Sequence, residues 1–426
     1  DDQDLAPSPA LCHVELWRIT PGRADRRAGA SVAAVGDRNG DGREDVLYGQ
    51  PGDGRYRIMD GDGQSIFSQV LEPGCGATVA SLGDLNGDDD HEYVVGGPDC
   101  TRGAQPAAGA GAGALWVFRE PNVVAAMHYG NQENQSFGTS VAALGDVNGD
   151  GSPAYGVTSR GFPAEDPASA VSGRLRVYNE QHQSLGIAEG AGPGFGLAIA
   201  ALGDVTGDAL HDFVVTDQSA DLSQIRLFQW DRFHDTFENN HSWSEGLGPQ
   251  HWGTTLASIG DVTGDQIADV VVGNGGYLLS RIVSFADDPP VTVHEYDQQF
   301  PVDGQWFRNA GWQVADLGDV TGDGRHDFAI GRPGVRSLEI RSGRSFQTIL
   351  TIAEAFAEPD DAGEAPLPWE PAHSWAPPFA TFTGADLDGD GRNEIVIGDP
   401  NADPISNGEP VNNAGEVFAW RIVRCD

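Results

Sequence analysis

Oxygen-bearing side chains recur at one fixed spacing in seven short stretches of this chain. The first stretch, Asp37–Asp45, reads DRNGDGRED, so side-chain oxygens stand at positions 1, 3, 5 and 9. The main-chain carbonyl at position 7 can supply one more oxygen. Ca²⁺ takes about six to eight oxygen ligands and is held by loops of this kind, in which glycine permits a tight turn. The spacing therefore predicts a calcium-binding loop.

All seven stretches follow this pattern, and we expect the same positions to supply the ligands in each, with position 7 acting through its carbonyl. The candidate ligands are Asp37, Asn39, Asp41, Arg43 and Asp45 in loop 1 (37–45); Asp84, Asn86, Asp88, Asp90 and Glu92 in loop 2 (84–92); Asp146, Asn148 and Asp150 in loop 3 (146–154); Asp204, Thr206, Asp208, Leu210 and Asp212 in loop 4 (204–212); Asp261, Thr263, Asp265, Ile267 and Asp269 in loop 5 (261–269); Asp319, Thr321, Asp323, Arg325 and Asp327 in loop 6 (319–327); and Asp386, Asp388, Asp390, Arg392 and Glu394 in loop 7 (386–394).

The loops differ in their ligands, which predicts an order of affinity. Loop 7 has carboxylates at all four side-chain positions and is expected to bind most tightly. Loops 4, 5 and 6 carry threonine at position 3, a weaker ligand. Loop 3 has Ala154 at position 9 and is expected to bind weakly or not at all. The affinity expected is that of extracellular modules, about 10⁻⁴–10⁻³ M or tighter, and dehydration disfavours Mg²⁺.

The alternative reading of these stretches is that they are only turns. Asp and Asn favour turns because their side chains bond to nearby backbone amides. A turn, however, does not require an acid at position 9, and six of the seven loops have one. We therefore interpret the loops as structural calcium sites.

The composition excludes several partners. The chain has 64 acidic and 25 basic residues and a formal net charge of −39, so bulk electrostatics does not favour binding to nucleic acid or to an anionic membrane. The sequence contains no run of 18 or more apolar residues, so it predicts no membrane span. Adaptation to high salt is a second explanation for the acidic excess. The acidic segment 1–10 has no features of a signal peptide and is expected to be a disordered lead-in.

The elements around the loops indicate a repeated all-β unit. Successive loops begin 47 to 67 residues apart, and each is flanked by short strands rich in Val, Ile and Ala. A period of this order with strand-like flanks indicates propeller blades rather than a helical solenoid. Because the strands are apolar on both faces, we expect sheets that stack between neighbouring blades.

Each repeat combines an aromatic–glycine pair or its equivalent, an acidic loop and, in several copies, a GxP turn; examples of the pair are Phe137-Gly138, Phe195-Gly196 and Trp252-Gly253. This combination resembles the FG-GAP repeat of integrin alpha chains and of many bacterial secreted proteins. The resemblance covers residues 11–426. It implies a single seven-bladed β-propeller of four-stranded antiparallel blades, here expected to stand alone and to be of the bacterial secreted type. It also implies that the acidic loops join strands 1 and 2 on one face, and that the opposite face binds ligand.

The two ends of the chain are predicted to complete one blade. The last blade ends after its third strand, Glu416–Ile422, whereas His13–Thr20 forms a strand that no blade precedes. If the two strands pair antiparallel, Cys12 lies beside Cys425 and a disulfide there would close the ring. Such a bond would also constrain the unfolded chain over a long loop.

A second disulfide is predicted between Cys75 and Cys100. Cys75 precedes loop 2 in the place that an aromatic residue holds in other blades, and Cys100 follows loop 2 on the next strand. Antiparallel strands bring both to one end of the blade. Four cysteines allow three pairings, and this choice uses all of them. Two disulfides indicate an oxidising compartment, either extracellular, at the cell surface or periplasmic.

The long connections are expected on the face opposite the loops. They and their neighbours contain the ligand-face candidates Trp243, Trp306, Phe307, Arg308, Trp369 and Trp375. Exposed aromatic side chains on loops suit a surface that binds protein or glycan. The alternative is that these aromatics pack the long loops onto the propeller.

Three functions agree with these observations. The first is an extracellular, calcium-stabilised binding or adhesion module for a protein or glycan. The second is a polysaccharide lyase or hydrolase on a propeller scaffold, although the sequence contains no nucleophile elbow, HExxH motif or P-loop. The third is a structural subunit of a surface assembly. No catalytic residue is predicted, and the sequence does not indicate the oligomeric state.

Overall fold

The computed structural model describes residues 11–100, 111–130, 133, 135–160, 173–190, 194–218, 223–234, 236–243, 252–274, 279–287, 289–297, 300–302, 305–307, 313–332, 337–353, 381–402, 405–406, 409–411 and 414–425. Within these ranges the chain is all-β and contains no helix. No helix in the described part is therefore long and apolar enough to cross a membrane. The predicted lead-in, residues 1–10, lies outside the described residues.

Among the described residues, the strands form seven four-stranded antiparallel sheets, each of which is one blade. Blade 1 consists of β2 (Val32–Ala34), β3 (Val46–Gln50), β4 (Arg55–Met59) and β5 (Ser65–Val70). Blade 2 consists of β6 (Thr78–Gly83), β7 (Glu92–Gly97), β8 (Ala114–Glu120) and β9 (Val123–Tyr129). Blade 3 consists of β10 (Phe137–Gly145), β11 (Ala154–Ser159), β12 (Arg174–Tyr178) and β13 (Ser184–Glu189). Blade 4 consists of β14 (Gly194–Gly203), β15 (Asp212–Gln218), β16 (Ser223–Asp231) and β17 (Thr236–Trp243).

The remaining blades follow the same order. Blade 5 consists of β18 (Trp252–Ser258), β19 (Val270–Asn274), β20 (Leu279–Ser284) and β21 (Val291–Asp297). Blade 6 consists of β24 (Val314–Gly318), β25 (Asp327–Arg332), β26 (Ser337–Arg341) and β27 (Thr348–Ala353). Blade 7 consists of β28 (Thr381–Ala385), β29 (Glu394–Asp399), β32 (Glu416–Arg424) and β1 (Leu11–Ile19). Two small hairpins, β22 (Phe300–Val302) with β23 (Gln305–Phe307) and β30 (Ile405–Ser406) with β31 (Glu409–Pro410), lie between blade strands in the sequence.

The first strands of the seven blades close a ring. Each contacts the first strand of the next blade, in the order β2, β6, β10, β14, β18, β24, β28 and back to β2. In every blade the first strand runs into one acidic loop, and the second strand begins at the end of that loop. All seven loops therefore lie at one end of the propeller, which we call the metal face. The connections that lead into each first strand lie at the opposite face.

The hydrophobic core is divided among the gaps between blades. In the part of the chain that the structure describes, seven apolar clusters each combine side chains of two adjacent blades. The second strand of a blade has neighbours on both faces, so strands such as β3, β11 and β29 are buried at every residue. This burial removes apolar surface from water on both sides of each sheet and fixes the angle between blades.

Both predicted ring-closing features are confirmed. β1 pairs antiparallel with β32, from Leu11 opposite Arg424 to Ile19 opposite Val417, so the N-terminal strand is the outermost strand of blade 7. Disulfides join Cys12 to Cys425 and Cys75 to Cys100, with Cα–Cα distances of 5.3 and 4.4 Å. The first of these spans 413 residues of sequence and covalently closes the last blade.

Candidate metal centre

The carboxylate at position 1 of each loop organises the loop backbone. In loop 1, Asp37 Oδ1 accepts hydrogen bonds from the amides of Gly40 (2.7 Å) and Asp41 (3.1 Å), and its Oδ2 accepts one from Gly42 (2.6 Å). In the other six loops the first Asp accepts amide bonds from positions 4 and 6 in the same way. The bonds from a carboxylate to its own turn hold the loop curved around a central point.

Two residues of each loop adopt left-handed backbone conformations. Position 4 is glycine in all seven loops, with φ between 73° and 89°. Position 6 has a positive φ in all seven as well, although it is Asp89 (69°), Ala209 (66°) and Gln266 (74°) in loops 2, 4 and 5. A side chain with a Cβ in this region costs about 1–2 kcal/mol. The common loop geometry is therefore kept even where the sequence opposes it.

The carboxylate at position 9 lies beneath the loop and is buried. Asp45, Asp212, Asp269 and Asp327 are 0% exposed, and Glu92 and Glu394 are 2% exposed. One oxygen of each accepts a backbone amide bond from position 2 or 3, for example Asp212 Oδ2 from Val205 and Thr206 at 2.9 Å. The second oxygen, Asp212 Oδ1, is buried and has no hydrogen-bond partner among the described residues. An unsatisfied buried carboxylate oxygen is costly and suits a cation.

Burial raises the pKa values of several of these position-9 acids. Burial, with the negative charge of neighbouring loop carboxylates as a lesser cause, raises the pKa of Asp45 and Glu394 to about 7. The same causes raise the pKa of Asp212 and Asp327 to about 6. A bound divalent cation would favour the ionised form of each acid. Loops 1, 2, 4, 5 and 6 carry side-chain oxygens at positions 1, 3, 5 and 9, and these donors are of the kind that Ca²⁺ takes.

Loop 3 is built differently. Its backbone has the same turn, with Asp146 accepting amide bonds from Gly149 (2.7 Å) and Gly151 (3.0 Å). Position 9, however, is Ala154, which is 1% exposed and belongs to the apolar cluster between blades 3 and 4. The buried carboxylate is replaced by a methyl group. This fits the expectation that loop 3 is the weakest of the seven.

Loop 7 brings its acids closest together but contains an arginine as well. Ligand oxygens of Asp386, Asp388 and Glu394 all lie within 4.8 Å of one another. Arg421, on β32, contacts Asp388 Oδ2, and its Nε lies 3.1 Å from Glu394 Oε1. Arg421 was not among the residues predicted from the sequence, because only the register of β32 against β29 brings it to the loop. The one signal was a charged residue between the apolar residues Trp420 and Ile422 of β32.

A second group of metal-ligand type lies in blade 4, outside the seven loops. Asp231, at the end of β16, contacts His234 Nδ1 in the following turn, and Glu238 on β17 offers a third ligand atom within 4.8 Å of the other two. His234 and Glu238 are exposed. The contact with Asp231 raises the pKa of the His234 imidazole and so favours its protonated form. We therefore interpret this cluster as an ion pair between His234 and Asp231.

Neighbouring loops are joined around the metal face. The amide of His211 in loop 4 donates to the carbonyl of Asp146 in loop 3 at 2.9 Å. Arg38 of loop 1 donates to the carbonyl of His91 in loop 2 at 2.9 Å. Arg325 of loop 6 reaches the carbonyl of Val262 in loop 5. Ordering one loop of such a pair therefore constrains the other.

The ligand-face candidates divide into three groups. Trp243 is 8% exposed and packs in the cluster between blades 4 and 5; the structure places it in the core instead of on a ligand surface, because β17 pairs it with Ile225 of β16. Trp306 and Phe307 lie on β23, opposite Pro301 and Phe300 of β22. Arg308, Trp369 and Trp375 lie outside the described residues. Most residues of the long connections between strands also lie outside them.

Comparison with known proteins agrees with the repeats and the ring. The family described as "FG-GAP-like repeat" matches residues 37–95, a stretch that includes loops 1 and 2. Integrin alpha-E of Homo sapiens is 27% identical over 184 residues, and integrin alpha-2 of Mus musculus is 28% identical over 180 residues. Each match covers 38% of this chain and 15% of the relative's length. The chain therefore corresponds to a small part of these relatives.

Proposed function

We propose that this FG-GAP-repeat β-propeller is an extracellular binding module, stabilised by Ca²⁺ on its metal face, that holds a protein ligand on its opposite face. The similarity to integrin alpha chains supports a role in binding proteins. The two disulfides support an oxidising, extracellular location. The acidic loops would serve the fold, and the ligand would be recognised elsewhere on the ring.

The observation that carries the calcium assignment is the buried acid at position 9. Six loops bury a carboxylate directly beneath an oxygen-rich turn. In loop 4 the inward oxygen, Asp212 Oδ1, has no hydrogen-bond partner among the described residues. A turn that needed only to reverse the chain would use the oxygen that accepts backbone amides, and would not require a second, buried oxygen without a donor, which is unfavourable. Asp, Asn and Thr oxygens are also the ligands that Ca²⁺ prefers.

Thermal unfolding with and without calcium tests the structural role. The chain should melt at a higher temperature in millimolar Ca²⁺ than in EDTA, because a ligand that binds only the folded state stabilises it by mass action. Re-addition of Ca²⁺ should restore the higher value, and Mg²⁺ at the same concentration should restore less of it. Identical melting curves in EDTA and Ca²⁺ would refute the assignment.

Oriented immobilisation tests the ligand face. Phe233 is 95% exposed in a turn of blade 4 whose neighbour, Arg232, donates to Asp208 of loop 4, so it lies on the metal face. Ala24 is exposed in the connection into β2, on the opposite face. Biotin attached through Phe233→Cys leaves the opposite face free, whereas Ala24→Cys covers it. We expect extracellular proteins to bind the propeller immobilised through Phe233→Cys and not the propeller immobilised through Ala24→Cys. Binding of glycans instead of proteins, or equal binding to the two immobilised variants, would contradict the proposal.

A further inference from the structure

One position on the third strand of each blade lies beside the buried acid of that blade's loop. In blade 7, Ile395 pairs with Trp420, so the next residue along, Arg421, stands beside Glu394. In blade 1, Val46 pairs with Met59, which places Asp60 beside Asp45 in the same way. We call this the flanking position. It lies outside the nine-residue loop and brings a further side chain to each candidate site.

The flanking position carries a different residue in nearly every blade. In blades 1 to 7 it is Asp60, Arg119, Asn179, Gln229, Ser284, Ser342 and Arg421. The Ser284 hydroxyl donates to Asp265 Oδ2 of loop 5 at 2.9 Å, so side chains from this position do reach loop oxygens. Arg119 is exposed and forms no ion pair with the described residues of loop 2. Position alone therefore does not place an arginine in the loop.

Arg421 satisfies the oxygens that a cation would take. Glu394 Oε2 accepts the amide of Leu387 at 2.9 Å, as position 9 does in other loops. Its second oxygen, Oε1, lies 3.1 Å from Arg421 Nε, and the same guanidinium contacts Asp388 at position 3. The corresponding second oxygen in loop 4, Asp212 Oδ1, has no hydrogen-bond partner in the described part of the chain. The arginine and a metal ion would compete for the same two carboxylates.

The cavity beside Arg421 contains one acid outside loop 7, and that acid already has a partner. A cavity of about 150 Å³ between blade 7 and blade 1 is lined by Trp17, Arg43, Asp62, Asp388 and Arg421, among others. Arg43 already holds Asp62 at 3.0 Å. Displacing the guanidinium from loop 7 would break its contacts with two carboxylates, which adds to the free energy that calcium binding must overcome.

We propose that Arg421 is an internal counter-cation that weakens calcium binding at loop 7, whereas Asp60 adds negative charge at loop 1 and strengthens it. Loop 7 then binds Ca²⁺ less tightly than its four carboxylates alone predict. Loop 1 also has an arginine on a ligand carboxylate, since Arg43 lies 3.0 Å from Asp41. The inference rests on the proposed calcium binding and specifies how these two loops differ.

Calorimetric titration of the EDTA-stripped protein with Ca²⁺ tests this inference. Removing one positive charge beside the site in Arg421→Ala should tighten one binding site by about tenfold or more. The double variant Arg421→Ala/Glu394→Gln should lose that tight site, which would locate it in loop 7. Asp60→Asn should weaken one site. Arg119→Ala, at the flanking position of blade 2, is the matched control and should leave the isotherm unchanged.

The outcomes separate this inference from the proposed function. If the wild-type chain binds Ca²⁺ and Arg421→Ala has the same isotherm, Arg421 does not control loop 7 and the inference is overturned. If the wild-type chain binds no Ca²⁺ at all, the proposed function fails; a site that appears only in Arg421→Ala would still support the inference, and no site in either protein would overturn it. Arg421→Gln, which keeps more of the side-chain packing, replaces Arg421→Ala if the alanine variant does not fold.

Discussion

The backbone amide of Glu44 donates to the carbonyl of Asp386 at 2.9 Å, and the Glu44 carboxylate accepts the amide of Asp386 at 2.8 Å. This reciprocal pair joins the first loop to the last across the seam where the ring closes. The two residues are 342 positions apart in sequence. The metal face is thus continuous across the one junction between blades 7 and 1.

The first prediction concerns this seam. Glu44→Ala should reduce the free energy of unfolding by about 1–2 kcal/mol, because the amide of Asp386 loses a charged acceptor. Glu44→Gln keeps an acceptor oxygen and should lose less than the alanine variant. Chemical denaturation in saturating Ca²⁺ measures both. If alanine and glutamine cost the same, the side-chain bond does not contribute to ring closure.

The second prediction concerns the buried acid of loop 4. Asp212→Asn should remove one equivalent of bound Ca²⁺ and lower the melting temperature in Ca²⁺, because the site loses an anionic ligand. In EDTA the same variant should melt at or above the wild-type temperature, since the neutral amide avoids burial of a charge. Asp150→Asn in loop 3 is the control and should change the calcium stoichiometry little. A lower melting temperature of Asp212→Asn in both buffers would contradict the metal-ligand role.

The third prediction concerns position 6 of the loops. Ala209→Gly should raise the free energy of unfolding by about 0.5–1 kcal/mol, because glycine adopts the left-handed φ of 66° without steric cost. Gly324→Ala in loop 6 is the reverse experiment, at a φ of 83° with no atom within 4 Å of the added Cβ, and should lower stability by a similar amount. A stabilising effect of Gly324→Ala would show that loop conformation does not limit stability.

The fourth prediction concerns the disulfide that closes blade 7. Replacing Cys12 and Cys425 by serine should reduce the free energy of unfolding by up to about 5 kcal/mol, because the bond restricts a very long loop in the unfolded chain. The matching pair of replacements at Cys75 and Cys100, which are 25 residues apart, should cost less on the same argument. Urea denaturation of both double variants in Ca²⁺ decides the order, and a larger loss for the short loop would contradict the entropic explanation.

The fifth prediction concerns pH and His128. Its Nε2 lies 2.8 Å from the Tyr155 hydroxyl, its ring stacks on Tyr178 at 4.0 Å, and burial lowers its pKa to about 4. The unfolded chain binds a proton near pH 6.5 but the folded chain does not, so stability is full above pH 6.5 and falls as the pH drops towards 4. Relative to His128→Gln, the wild-type chain should lose up to about 3 kcal/mol over this range.

A histidine with the opposite shift provides the control for that experiment. The ion pair with Asp231 raises the pKa of His234, so its contribution is present at low pH and is lost as the pH rises. His234→Gln should therefore change the pH profile in the opposite sense to His128→Gln. Unfolding free energies from pH 4 to 8 in Ca²⁺ measure both. Parallel profiles for the wild-type chain and His128→Gln would show that His128 is not buried in the neutral form.

Several features followed from the sequence because they depend on local chemistry. Each acidic loop is short, so the spacing of oxygens and glycines is enough to locate the junction of strands 1 and 2 in every blade. Repetition of that loop fixed the number of blades. The last blade lacked one strand in the sequence, and one strand near the start of the chain had no blade. The sequence therefore predicted that His13–Thr20 pairs with Glu416–Ile422 and that Cys12 bonds to Cys425.

The remaining features were decided by tertiary structure, because they depend on residues that lie far apart in sequence. The register of β32 against β29 brings Arg421 into contact with Glu394 of loop 7, which the spacing of the loop residues does not reveal. The register of β17 against β16 turns Trp243 into the core, although its sequence context suggested a loop surface. A repeat motif specifies its own turn; which side chains from other strands enter that turn is fixed only when the blades pack.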